Sequence, residues 1–90
     1  MFYVVSYDIK DDMKRIKVAK ILLDFGTRVQ RSVFECRLDE KLLDRLIRRL
    51  ERIITDEDSL RIYSLCARCE GTIKIMGKGE ITKDEEIYIL

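Results

Sequence analysis

Phe2-Tyr3-Val4-Val5-Ser6-Tyr7 opens the chain with an almost unbroken apolar run that stops at Asp8. Such a run, apolar on both faces, predicts a central strand, because each face must be covered. From residue 11 to 25 the period lengthens: Val18, Ile21, Leu22 and Phe25 recur at helical spacing, Ala19 and Leu23 widen the stripe, and Lys17, Lys20 and Asp24 fall opposite. Gly26 is the expected C-terminal stop. Residues 27 to 38 return to strand-like alternation, but Phe34, Cys36 and Leu38 belong to one register and Val29 and Val33 to the other. A turn or bulge near Gln30 to Ser32 reconciles them. Asp39 is the natural N-cap of a second helix to about Ile54, striped by Leu43, Leu46, Ile47, Leu50, Ile53 and Ile54, with Arg45, Arg48, Arg49 and Arg52 opposite. Further strands are expected from Leu60 to Cys66 and from Thr72 to Met76, then a turn at Gly77 to Gly79 and a short last strand over Ile87-Tyr88-Ile89-Leu90.

The resulting order is strand, helix, strand, strand, helix, strand, with one or two extra strands. This predicts an α+β fold, a ferredoxin-like βαββαβ sandwich in a single domain over residues 1 to 90. Both helices would cover one face of an antiparallel sheet. The other face, bearing Tyr, Val and Leu, would call for a second subunit, most simply by two-fold symmetry as a homodimer. A chain of 90 residues also buries only about 60–65% of its unfolded surface, so a partner would help to stabilise it.

Composition narrows the chemistry. Apolar residues at 47% and charged residues at 39% fit a folded domain with a densely charged surface. The net charge of +1 conceals an asymmetry: residues 1 to 54 carry 13 Lys or Arg against 9 Asp or Glu, and residues 55 to 90 carry 5 against 8. The first half is where an anionic partner would dock. No His is present, so Ser-His-Asp and Cys-His sites are excluded, and acid-base work falls to carboxylates, Lys, Tyr, Cys or metal-bound water. No run approaches the roughly 18 apolar residues of a membrane span, and no signal peptide is visible, so the expected location is cytoplasmic. Cys36, Cys66 and Cys69 read as free thiols in a reducing compartment. Cys66 and Cys69 form one C-x-x-C, which supplies only two of zinc's usual four ligands.

Three acids gather where the first strand meets the first helix. Asp11 and Asp12 suit capping and the positive end of the helix dipole. Asp8 lies one step earlier, where a carboxylate must be solvated, paired or metal-bound. Arg15 and Arg28 fall nearby in the predicted layout, able either to hold a phosphate or to pair with Asp8, Asp11 and Asp12. Tyr7 and Phe34 can serve as core aromatics or as stacking platforms for an unpaired base. The four arginines opposite the second helix's apolar stripe can track a phosphate backbone, although Asp44 and Arg48 are also spaced for an i,i+4 pair on a solvated face.

Tyr7-Asp8-Ile9 with Asp11, Asp12 and Arg15, then Gly26-Thr27-Arg28-Val29-Gln30-Arg31-Ser32-Val33-Phe34-Glu35, closely resembles the CRISPR-associated Cas-two family. Asp58-Ser59-Leu60-Arg61-Ile62-Tyr63 and Gly77 extend the resemblance over nearly the whole chain. It implies a ferredoxin-like homodimer in which the C-terminal segment, about residues 77 to 90, adds to the partner's sheet. It also implies a role in spacer acquisition beside an integrase subunit, and metal-dependent endonuclease activity on single-stranded RNA or double-stranded DNA. Asp8 then matches the metal-binding acid, Tyr7 its neighbour, Arg15, Arg28 and Phe34 positions of the nuclease site, and Gln30 and Ser32 its shared motif. Lys17 stands where some members have Arg, which removes a bidentate phosphate donor. Magnesium suits an Asp8 pair across a two-fold axis, since it binds one or two carboxylates and keeps several waters. Two other readings remain: a non-catalytic DNA-binding adaptor bridging integrase dimers, and a related toxin-like RNA-cleaving protein.

Overall fold

The computed structural model describes residues 1–82. Strand β1 (Phe2–Asp8) is central, as its two apolar faces require: β3 (Val33–Arg37) pairs with it on one side and β4 (Ser59–Leu65) on the other, both antiparallel. β2 (Thr27–Gln30) pairs antiparallel with β3 at the outer edge, giving the order β2-β3-β1-β4. Helices α1 (Asp12–Phe25) and α2 (Glu40–Glu51) join β1 to β2 and β3 to β4. This element order and strand adjacency are those of the split βαβ arrangement.

Local chemistry sets the helix starts. Asp11 caps α1 by accepting the Lys14 amide at 2.8 Å, and Asp39 caps α2 by accepting the Leu42 amide at 2.8 Å. Each satisfies an amide that has no partner within the first helical turn. α2 ends at Glu51, three residues short of the expected Ile54, where the Ile53 amide donates to the Leu50 carbonyl at 3.0 Å in a tighter i→i−3 turn. The expected irregularity between β2 and β3 is a register shift between Arg28 and Gln30, which leaves Val29 bulged and exposed.

The core lies between the helices and one face of the sheet. Tyr3, Val5 and Tyr7 alternate inward from β1 and meet Phe34 and Cys36 of β3, Val18, Leu22 and Phe25 of α1, and Leu46 and Leu50 of α2. Leu23, expected to widen the core stripe of α1, is instead exposed.

Gly26 ends α1 where the helix pattern stops, but for a reason other than a left-handed turn. Its φ of −167° is ordinary extended backbone, whereas an added Cβ would collide with the Glu35 carbonyl oxygen and lie 2.5 Å from Cys36 Sγ. The residue lets α1 and β3 approach.

The opposite sheet face is partly covered by the chain itself. After β4 comes a short helix, α3 (Ala67–Glu70), in the interval between the strands expected at Leu60 to Cys66 and Thr72 to Met76. Residues 72–76 alternate like a strand, but a strand forms only where a neighbouring backbone pairs with it, and no described strand does so. Side chains hold this region instead. Arg37 lies 4.8 Å above the Phe2 ring, pairs with Glu70, and donates from Nε to the Thr82 carbonyl at 2.8 Å. Glu35 accepts the Thr82 hydroxyl at 2.6 Å. The expected last strand at residues 87–90 lies outside the described residues.

Lys14 and Asp58 tie α1 to the loop before β4 with an ion pair of 2.9 Å. The Asp58 carboxyl is held below its ordinary value of 3.8 by Lys14 first, then by the Thr55 amide. A carboxyl depressed by folding stabilises fully above its unfolded pKa and loses that contribution as pH falls through the folded value. Thermal unfolding between about pH 5 and pH 2 should therefore show the wild type losing stability more steeply than Asp58→Asn. Parallel acid limbs would remove the pair from the stability of the fold.

Candidate active site

β1 delivers Asp8 to the surface. The period of two places it with Val4 and Ser6 on the face away from the helices, opposite Ser59 of β4, and its side chain is exposed. Tyr7 points the other way into the core, and its hydroxyl donates to the Arg31 carbonyl at 3.4 Å. Its amide donates to the Ser32 carbonyl at 3.1 Å, so the β2–β3 turn is fastened beside the end of β1.

A cavity of about 580 Å³ opens there between the end of β1, the outer side of α1 and the β2–β3 turn. Tyr7, Asp8, Arg15, Arg28 and Ser32 all line it, so the fold assembles two motifs that are separated along the chain. Arg15 is committed: Nη1 donates to the carbonyls of Ile9 (2.9 Å) and Lys10 (3.3 Å), and Nη2 pairs with Asp12. It braces the loop that follows Asp8. Arg28 lies 5.3 Å from the centroid of the Phe34 ring, and Phe34 stacks on Tyr7 with centroids 6.3 Å apart. Phe34 is 0% exposed, so neither face of its ring is open to a base in this chain.

The remaining expected contacts separate. Lys17 does not line the cavity, nor does Gln30. Arg49 is tied to Asp24 at 3.1 Å and lies over Phe25 at 5.6 Å, so it joins α2 to α1 rather than extending a free row of cations. Arg45, Arg48 and Arg52 are exposed along α2, and the Asp44–Arg48 pair does not form.

Sequence reasoning passed over Ile16, Lys20, Leu23 and Arg31, which complete the cavity wall. A signal was present. Ile16, Ala19, Lys20 and Leu23 follow the spacing i, i+3, i+4, i+7, a second stripe on a helix whose core stripe was already filled.

The donor set fits a hard cation in kind, since Asp8 offers an exposed carboxylate of the sort magnesium accepts while retaining waters. One chain supplies one such group, and no cluster of three metal-ligating side chains occurs among the described residues. Cys66 and Cys69 are exposed free thiols on α3, outside the cavity lining. The Cys69 and Arg68 amides and the Cys69 thiol hold the Cys66 thiol below its usual range, whereas burial pushes Cys36 up to about 12.

The profile of the family described as CRISPR associated protein Cas2 matches residues 1–73. The CRISPR-associated endoribonuclease Cas2 1 of Chloroflexus aurantiacus is 47% identical over 93 residues, covering all of both chains. Among solved structures, Cas2 of Streptococcus pyogenes superposes with a TM-score of 0.74 at 32% identity, covering 86% of this chain and 100% of that one. A chain of a partial Cas6-RT-Cas1–Cas2 complex superposes with a TM-score of 0.65 at 25% identity, covering 83% and 89%.

Proposed function

Given that the chain belongs to the CRISPR-associated Cas2 family, we propose that it is a dimeric, magnesium-dependent endonuclease of CRISPR adaptation that cuts single-stranded RNA at Asp8. The observation that carries this reading is the exposed Asp8 carboxylate at the mouth of a cavity lined by Arg15, Arg28 and Arg31. An anionic substrate meets the guanidiniums of Arg28 and Arg31 there, while Arg15 braces the loop beside them, and a cation-binding acid stands next to all three. The relative from Chloroflexus aurantiacus is named an endoribonuclease, which supports the reaction class. The complex with Cas1 supports an integrase partner.

Asp8 would hold the ion, with the Asp8 of a second copy as the natural second carboxylate if the open sheet faces meet. Bound magnesium supplies a Lewis acid for the phosphate and a water of lowered pKa, which a chain without His otherwise lacks. The protein's own groups do the rest. Arg28 and Arg31 face the phosphate oxygens and offset charge that grows during cleavage. Arg15 fixes the Ile9–Lys10 backbone and thereby the position of Asp8. The Tyr7 hydroxyl holds the Arg31 backbone.

Labelled RNA should be cut by the folded wild type in magnesium and spared in chelator. Asp8→Asn should cut at least about 100-fold more slowly, because even indirect partners of a metal cost 10- to 100-fold when lost. Equal cleavage by Asp8→Asn would sink the Asp8 mechanism. The exposed Arg45, Arg48 and Arg52 on α2 support a second reading, an adaptor that holds duplex DNA without cutting it. Duplex binding that falls steeply with salt, together with no cleavage by the wild type, would favour it.

A further inference from the structure

Two large aliphatic side chains on the outer stripe of α1 stand largely clear of the core. Ile16 and Leu23 are 50% and 53% exposed, one turn either side of Lys20 and of Ala19, which itself packs into the core. Large aliphatic side chains left half in water at regular spacing leave a patch that a ligand can cover. Here the patch is one wall of the cavity beside Asp8.

The opposite wall and rim are cationic. Arg28 and Arg31 come from the β2–β3 hairpin, and Lys20 rises from the stripe itself. Neither Lys20 nor Arg31 has an ion-pair partner among the described residues, so their charge is available to a ligand. A volume of about 580 Å³ lies within the range of small-molecule sites, large enough for a nucleotide and far too small for a duplex.

We propose that this cavity is a subsite for one unpaired nucleotide of a single-stranded chain, with Ile16, Ala19 and Leu23 against the base and Lys20, Arg28 and Arg31 on the flanking phosphates. The two walls account for the two halves of such a ligand. A nucleobase presents a flat apolar face of any sequence, and the phosphates beside it need cations. In a duplex both base faces are already stacked, so only the cationic rim would be used, and the aliphatic wall would gain nothing. The subsite therefore favours single strands over duplexes, and it does so through aliphatic contact because the nearby aromatic, Phe34, is closed off beneath Arg28. It deepens the nuclease reading and rests on it for the link to cleavage, but it can be tested without cleavage.

The test is fluorescence anisotropy in chelator, with a labelled single-stranded RNA of about ten nucleotides, a strand of the same length that is abasic throughout, and the matching duplex. The double variant Ile16→Ser with Leu23→Ser changes only exposed side chains, and circular dichroism checks its fold. It should lose about tenfold or more in affinity for the single strand and almost nothing for the duplex, and the abasic strand should bind the wild type and the variant alike. Lys20→Ala should weaken strand and duplex together. Equal losses on strand and duplex for the double variant, or no loss on either, would overturn the subsite. So would an unchanged RNA affinity accompanied by a shift from dimer to monomer in sedimentation, which would make the stripe a subunit contact. Asp8→Asn that binds the strand normally but cannot cut it leaves the subsite standing. Wild-type cleavage independent of Asp8 with the binding pattern intact would remove the nuclease mechanism alone.

Discussion

Phe34→Ala is expected to destabilise the fold by about 3–5 kcal/mol, the usual cost of emptying a buried aromatic site. Phe34 is among the largest fully buried side chains, stacked on Tyr7 and capped by Arg28, in the middle of β3. For a domain of 60–100 residues each kcal/mol moves Tm by about 4–8 °C, so a fall of about 12 °C or more is expected in a thermal scan. Total stabilities are only about 5–15 kcal/mol, so the variant would retain little margin. Any loss of cleavage by Phe34→Ala would then report folding. Phe34→Leu separates the roles: it keeps most of the buried volume and should recover most of the lost Tm, while removing any aromatic stacking. If Phe34→Ala melted within about 3 °C of the wild type, the ring would be shown to contribute little packing, and a stacking role would return.

The second large effect is at Gly26, where alanine should cost about 3 kcal/mol or more through overpacking. The added methyl would meet the Glu35 carbonyl oxygen and Cys36 Sγ, and would stand 3.0 Å from Cys36 Cα. A flexible side chain could yield, but two of these three atoms belong to the β3 backbone, which is pinned between β1 and β2. Relief thus requires α1 to lift from the sheet, at the expense of Phe25 and Leu22 packing. Adding Cys36→Ala removes the sulfur and not the carbonyl, so the double variant should regain only part of the loss. Denaturant titration of the three proteins measures this directly; full recovery would place the whole conflict on the sulfur, and a negligible effect of Gly26→Ala would show that the helix end has slack.

Both cases show the limit of reading residue types alone. Phe34 fits a core position and a stacking position equally well by its chemistry, and only its neighbours on β1 and β2 decide. Gly26 ends a helical pattern, so a glycine terminator was a sound expectation. Its actual constraint is the distance to a strand nine residues later, which no local rule contains.

The sequence by itself determined the element order, the two Asp N-caps, the central place of β1 and the irregularity between β2 and β3. Each follows from short-range causes: the period of apolar residues, the geometry of a capping carboxylate, and alternation that changes register. It also placed Asp8, Tyr7, Arg15 and Arg28 together through the two quoted motifs. Only the tertiary structure decided what those residues touch. It turned Arg15 onto the Ile9 and Lys10 carbonyls, spent Arg49 on Asp24, buried Phe34, and made a cavity wall of Ile16 and of Leu23, which the helix period had assigned to the core. It also withheld a strand from residues 72–76, because alternation prepares a segment for a sheet and only a free, adjacent backbone edge makes it one.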